Sequence, residues 1–202
     1  YKAFSAFIDD AIEKHPGLVI ENCGSGACRA DHGTLKHFYL QSTSDQEYYY
    51  NYPSIITGSA PHYAPEKAGI WSYPYPVRYD EREDDIDVPA FRKRFADGEE
   101  TIFNMVNGLC GALYQSGRLD LMDDKNMALV KEGVSAFKRM RADMSGAVPM
   151  LPTGMALIGQ KGILSYGLLC EGGKKAYLAV WRVGVDSEEA EIDLKKYGVT
   201  KA

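Results

Sequence analysis

The feature that most limits the fold is a change of rhythm along the chain. Up to about residue 150, short apolar runs alternate with stretches of helical periodicity; beyond Pro152, strand-like runs follow one another with only turns between them. Continuously apolar runs separated by helices are buried parallel strands, whereas strands joined by glycine turns pair antiparallel. Phe4, Phe7, Ile8, Ala11 and Ile12 make one helical face, stopped by His15-Pro16-Gly17. Residues 18–20, Leu-Val-Ile, are expected as a first buried strand, 35–41 as a second and 70–73 as a third, closed by Pro74 and Pro76. Between them, 46–56 is expected to be helical, kinked or ended by Pro53. A helix over 99–116 is expected to bury Ile102, Met105, Val106, Leu109 and Leu113, with 119–122 a fourth strand. Asp123 or Asp124 then caps a helix facing inward with Met127, Val130, Val134, Phe137 and Met140. The last strands are expected at 163–170, 176–183 and 190–194, with Gly172-Gly173 turning the first of these hairpins.

Four strand–helix units make half of a closed barrel, which needs eight strands to bury its inner layers and remove its edges. The expected fold class is therefore α/β: the second half of a (β/α)8 TIM barrel over residues 1–150, then an incomplete C-terminal antiparallel β domain over 151–202. The missing half is expected N-terminal to Tyr1. In such a barrel the chemistry sits at the C-terminal ends of the strands. Two such ends stand out here, Cys23-Gly24-Ser25-Gly26 and Thr43-Ser44-Asp45.

Composition excludes some functions. A net charge of −5 with no basic stripe argues against nucleic acid. The longest charge-free run, residues 144–160, carries two prolines and three glycines and is no membrane span. Four cysteines at 23, 28, 110 and 170 make no dense disulfide framework, so reduced thiols and a cytoplasmic location are expected.

Each candidate residue has a plainer reading beside the chemical one. Asp45 at a strand end suits a general acid/base, but Ser44-Asp45 also suits the cap of a helix starting near Gln46. Cys23 as a nucleophile needs a basic partner, and no histidine position here supplies one. Cys23, Cys28, His32 and His37 have four, three and four residues between them, a spacing that fits no common zinc module. Gly24-x-Gly26 lacks the third glycine of a dinucleotide turn. The acidic run at 80–87 lacks the glycine and ligand spacing of a calcium loop, and a solvated insertion is its default reading. Nine of the fourteen tyrosines lie between Tyr39 and Tyr79, and most are expected to be packing. Trp71, at a strand end, is the aromatic expected beside a site; Trp181, inside an alternating strand, is expected in the core.

Residues 21–31, Glu-Asn-Cys-Gly-Ser-Gly-Ala-Cys-Arg-Ala-Asp, resemble the E-x-C-x-S-G-G-x-R-x-D segment of the α-galactosidases of glycoside hydrolase family 36, the melibiase type. Thr43-Ser44-Asp45 resembles that family's T/C-S-D motif. Tyr63-Ala64-Pro65-Glu66 with Trp71-Ser72 is similar to its Y-P-P-E…H-V-S segment, and Phe137-Lys138-Arg139-Met140-Arg141 to its Y-K-x-x-R helix. The resemblance implies a retaining hydrolase of terminal α-galactosides, with no cofactor and no metal. It implies Asp45 as acid/base, Cys23, Gly24 and Ser25 as the turn contacting sugar hydroxyls, and Arg29 with Asp31 as a supporting pair. The family's nucleophile lies in a K-W-D motif that does not occur here, so it is expected upstream, in an N-terminal half that is this chain's partner; a homo-oligomer is also compatible. Ala27 and Cys28 stand where the family has glycines, Gln41-Ser42 where it has an aromatic before the acid, and Gln46-Glu47 replaces its N-T-D continuation. Competing readings are a non-catalytic carbohydrate-binding or interaction fragment, and an enzyme acting on N-acetylgalactosamine or transferring galactose.

Overall fold

The computed structural model describes residues 1–74 and 96–199, so the charged run at 80–87 lies outside the described residues. In chain order the elements are α1 (Lys2–Lys14), β1 (Glu21–Asn22), α2 (His32–Leu35), β2 (Leu40–Ser42), α3 (Tyr52–Ser59), β3 (Ala68–Ser72), α4 (Glu99–Gly108), β4 (Ala112–Gln115), α5 (Asp124–Met140), β5 (Val148–Met150), β6 (Gly162–Cys170) and β7 (Lys175–Val183). The first four strands form a parallel sheet in the order β1-β2-β3-β4, and the last three an antiparallel sheet in the order β5-β6-β7. The α/β character and the switch from parallel to antiparallel pairing match the rhythm of the sequence.

Several boundaries differ, each for a local reason. The first strand is Glu21–Asn22, not 18–20, and Leu18 and Val19 are exposed. Among the described residues β1 is the edge of its sheet, hydrogen-bonded to β2 alone. The second strand starts at Leu40, because Asp31 caps a short helix in the residues before it. Pro53 opens α3 rather than breaking a helix; in the first turn its missing N–H costs nothing. The fourth strand is Ala112–Gln115, not 119–122, which is occupied by a 3-10 turn at Leu119–Leu121. The chain turns sharply after Gly108, where a side chain would strike Leu113, and Gly111 packs so that an added Cβ would lie 2.5 Å from the Ala68 carbonyl oxygen. Residues 190–194 form no strand. This C-terminal stretch is held instead by the Tyr197 hydroxyl, which accepts the Leu151 N–H at 3.0 Å.

In a parallel ladder, paired residues point to the same side. Asn22, Gln41, Ala68, Ile70, Ser72, Leu113 and Gln115 share one face by register. Helices cover it: Ala68 and Ile70 pack with Tyr52 and Ile56, and Leu113 with Met105, Met122 and Val130. Glu21, Leu40, Ser42, Gly69, Trp71, Ala112 and Tyr114 share the opposite face. There Glu21 is exposed and Leu40, Trp71, Ala112 and Tyr114 are half-buried. The helix side continues into the second sheet, since Leu164, Tyr166, Leu168 and Trp181 join the same core as Tyr52, Ile70, Met140 and Met144. Trp181 is a core residue, 2% exposed.

The buried face of α4 keeps Met105, with Val106 and Leu109 partly buried against the core, as expected, but it is turned away from Ile102. Ile102 is exposed, whereas Thr101, Asn104 and Asn107, three residues apart, have no exposed surface. Asn104 Oδ1 accepts the Tyr73 N–H at 3.0 Å, Asn107 Nδ2 donates to the Tyr49 carbonyl at 3.0 Å, and Thr101 Oγ1 donates to Asn126 Oδ1 at 2.7 Å. This face meets loops leaving β2 and β3, whose backbone groups must find partners once buried. Replacing Asn104 with Ala strands the Tyr73 N–H and is expected to lower stability by about 1–3 kcal/mol. Ile102→Ala on the exposed side is expected to stay within about 0.5 kcal/mol. Equilibrium urea unfolding of the two variants checks the ranking.

Candidate functional site

Residues 23–30 form a turn tied down at both ends. The buried Asn22 amide donates to the Arg29 carbonyl at 3.1 Å and to Gln41 Oε1 at 2.6 Å, and Gln41 Nε2 donates to the Ser42 carbonyl at 2.6 Å. Within the turn Gly24, Ser25 and Gly26 are consecutively left-handed, with φ of 70°, 58° and 67°. For the serine this conformation costs on the order of 1–2 kcal/mol, so the turn is kept only because its anchors over-determine it. The Arg29 side chain lies along Gly24, where an added Cβ would sit 3.1 Å from Arg29 Cγ. Gly26 backs onto the next strand end, where an added Cβ would sit 3.2 Å from Ser44 Cα and 3.1 Å from the Asp45 nitrogen.

The two strand ends picked out from the sequence are therefore in contact. Gly24, Ser25, Arg29 and Asp45 form one corner, and half-buried Cys23 opens the turn. Asp45 is exposed and takes no hydrogen bond from a described residue. The capping reading fails, because no helix starts at Gln46: the Ser44 hydroxyl accepts the Gln46 N–H at 3.0 Å in a local turn, and α3 begins at Tyr52. Asp31 is occupied elsewhere. It caps α2 by accepting the Thr34 N–H at 3.0 Å and the Thr34 hydroxyl at 2.7 Å, and these bonds hold its carboxyl below the usual aspartate range.

The face of the sheet opposite the helices is aromatic. Trp71 Nε1 donates to Ser42 Oγ at 2.9 Å, and its ring stacks on Tyr73 (centroids 5.8 Å, 18°) and meets Tyr114 edge-on (5.1 Å, 88°). Gly69 leaves room for the Tyr114 ring, which a Cβ there would approach to 2.6 Å. Burial first, and then the Glu21 carboxylate, push the Tyr114 phenol well above its ordinary pKa, so it stays protonated. Tyr52, the first residue of α3, has no exposed surface, and its hydroxyl has no hydrogen-bond partner among the described residues. Burial, followed by the charges of Tyr73, Asp45 and Glu47, drives its pKa far upward. Leaving such a hydroxyl unpaired costs about 1–3 kcal/mol. The reading of the sequence missed Tyr114, hidden inside the expected 99–116 helix, together with Glu21, Tyr73 and Tyr52. Glu21 and Tyr114 become visible only once β4 is placed beside β3.

Among the described residues, no three His, Cys, Asp or Glu side chains are grouped to hold a metal. Cys23 and Cys28 are free thiols, and Cys28 Sγ donates to the Ser25 carbonyl at 3.3 Å. No described helix is long and apolar enough to cross a membrane. Cavity size does not choose the site. A cavity of about 460 Å³ lies at the opposite end of the strands, lined by Asp9, Lys36, His37, Tyr39 and Lys67, and another of about 340 Å³ lies between α4 and β7. What the corner offers is an accessible carboxyl and a strained glycine turn beside an aromatic wall, and aromatic lining with a few placed polar groups is what ligand sites share.

Comparison with protein-family models finds no match, and no curated protein matches. Solved structures do. The chain superposes on the galactosidase domain of the α-galactosidase–sucrose kinase AgaSK (TM-score 0.70, 15% identity). It also superposes on the family 36 α-galactosidase AgaA of Geobacillus stearothermophilus (0.70, 13%) and on AgaB of the same organism (0.66, 14%). The fold is that of a segment of family 36 α-galactosidases. Each superposition covers 92% of this chain and 23% of the other, so the chain spans about a quarter of the length of these structures. At such low identity the likeness is one of fold.

Two measurements test the corner. Gly26→Ala is expected to cost about 1–2 kcal/mol for the left-handed backbone, plus the displacement of the Asp45 turn. Gly17→Ala, at φ 91° with open space around it, costs only the backbone part. Equal urea midpoints would mean that Gly26 does not press on Asp45. For Asp31 the folded pKa is depressed, so its stabilisation is complete above about pH 4 and is lost as pH falls through the folded value. Asp31→Asn is therefore expected to lower the melting temperature at pH 7, and the gap from the parent protein is expected to close as pH falls through the folded value.

Proposed function

We propose that this chain is the second half of a (β/α)8 catalytic barrel, followed by part of an antiparallel β domain, from a retaining α-galactosidase. The observation that carries the reading is Asp45 at the C-terminal end of β2, pressed against the glycine turn after β1 and beside an aromatic inner face. Strand neighbours that follow chain order with helices between them suit a barrel better than a doubly wound sheet, where the strand order reverses.

In this reading Asp45 protonates the departing glycosidic oxygen and then takes a proton from the incoming water. The opposing nucleophile is an aspartate roughly 5–5.5 Å away, on a strand that precedes β1 in the complete polypeptide. Cys23, Gly24, Ser25 and Arg29 contact the sugar hydroxyls, and Trp71 walls the ring with Tyr73 and Tyr114. No cofactor is required. Variants of AgaA are solved in complex with raffinose and with stachyose, which points to terminal α-galactosides as the substrate class.

The test uses the complete polypeptide that carries these residues, acting on raffinose, whose leaving group needs a proton. The α-anomer of galactose appears first by proton NMR, and Asp45→Asn lowers kcat/KM by about 10²–10⁴. Initial release of the β-anomer, or full activity of Asp45→Asn, contradicts the assignment. Residues 1–202 alone give no turnover; turnover that Asp45→Asn abolishes would put the nucleophile inside this chain. Binding of galactosides by the complete polypeptide with no hydrolysis would favour the non-catalytic carbohydrate-binding reading.

A further inference from the structure

We infer that Ser42 is a positioning residue for Trp71: its hydroxyl takes up the indole N–H and so holds the ring as an apolar wall of the proposed sugar site. The inference rests on the reading of this face as part of that site. Ser42 ends β2, and Gly69 stands beside it in register on β3, on the face opposite the helices. These two small residues make a floor for two rings. Trp71 Nε1 donates to Ser42 Oγ at 2.9 Å, and the Tyr114 ring lies over Gly69, where an added Cβ would come within 2.6 Å of it. The two rings meet edge-on at 5.1 Å, and Tyr73 stacks on the indole at 5.8 Å.

The Ser42 hydroxyl is not needed to hold the backbone. Thr43 closes the end of β2, its N–H and its hydroxyl donating to the Gly69 carbonyl at 3.2 and 2.8 Å. The Ser42 carbonyl is taken by Gln41 Nε2. Ser42 has no exposed surface, and the indole is the partner of its hydroxyl among the described residues. Stacking alone lets a ring slide, whereas a directional bond at one atom of its edge fixes where the ring stops. With Nε1 committed to Ser42, the half-buried indole offers a ligand carbon surface only. That surface suits the C–H face of a pyranose and leaves the sugar hydroxyls to the turn of Gly24, Ser25 and Arg29.

Two readouts test this. In residues 1–202 the indole N–H resonances are those of Trp71 and Trp181, and Trp71→Phe assigns both by removing the first. Ser42→Ala is expected to move the Trp71 resonance upfield and to speed its exchange with solvent. The resonance of Trp181, buried in the core, stays in place and reports an intact fold. If Ser42→Ala does not fold, Ser42→Cys decides, because it keeps the side-chain volume while weakening the acceptor. A Trp71 resonance that does not move overturns the inference. In the complete polypeptide acting on raffinose, Ser42→Ala is expected to raise KM about fivefold with kcat within about twofold. In the Trp71→Phe background, which has no indole to hold, it raises KM no further. An equal rise in both backgrounds, or an unchanged KM beside a displaced indole resonance, overturns the inference and leaves the galactosidase reading standing. No raffinose hydrolysis by the complete polypeptide defeats the galactosidase reading, and the inference with it, even where the indole resonance moves as expected.

Discussion

The amide of Asn22 is the tie on which the arrangement depends. Lodged on the helix-covered face of the edge strand, it bonds at once to the Arg29 carbonyl at the far end of the glycine turn and to Gln41 on the next strand. One buried side chain thereby closes a turn containing three left-handed residues and sets it in register with β2. The net gain from each such bond is about 1 kcal/mol, but losing one exposes a buried acceptor to a cost of about 1–3 kcal/mol. That asymmetry makes an otherwise strained turn stable. Once the turn is closed, Gly26 has nowhere to lie except against Ser44 and Asp45.

The parallel sheet divides its labour by face. On the helix side, apolar packing supplies stability through Ile70, Leu113 and the helices over them, and the polar side of α4 holds the loops that carry Tyr49 and Tyr73. On the other side, Trp71, Tyr73 and Tyr114 form an aromatic surface with a single indole hydrogen bond to Ser42. Rigid support behind and a partly open aromatic face in front suit the wall of the proposed site, because the precision of a site depends on the shell that holds it.

How much of this was legible in the sequence depends on which force sets each element. The Gly172-Gly173 hairpin, the core place of Trp181 and the Asp123 cap follow from local chemistry and could be read directly. The turns after β1 and β2 were legible too, since turns at strand ends declare themselves by small polar residues; the place of Arg29 along Gly24 emerges only from the structure. Periodicity failed where burial is not apolar. Asn104 and Asn107 face inward because loop carbonyls and amides meet them, and Ile102 faces out. It also failed where two elements adjoin with almost no linker, so that β4 was absorbed into the helix before it and Tyr114 went unseen. Leu18, Val19 and residues 190–194 misled because an apolar or alternating run becomes a paired strand only where a neighbour exists to bond it.

The central claim is that Asp45 donates and recovers the proton at the glycosidic oxygen, and its most direct test is how the loss of that carboxyl depends on the leaving group. In the complete polypeptide, Asp45→Ala should cripple hydrolysis of raffinose while sparing a dinitrophenyl α-galactoside, whose leaving group needs no proton. Added azide should restore turnover by forming the α-galactosyl azide. Equal losses on both substrates, with no azide product, would show that Asp45 is not the acid/base.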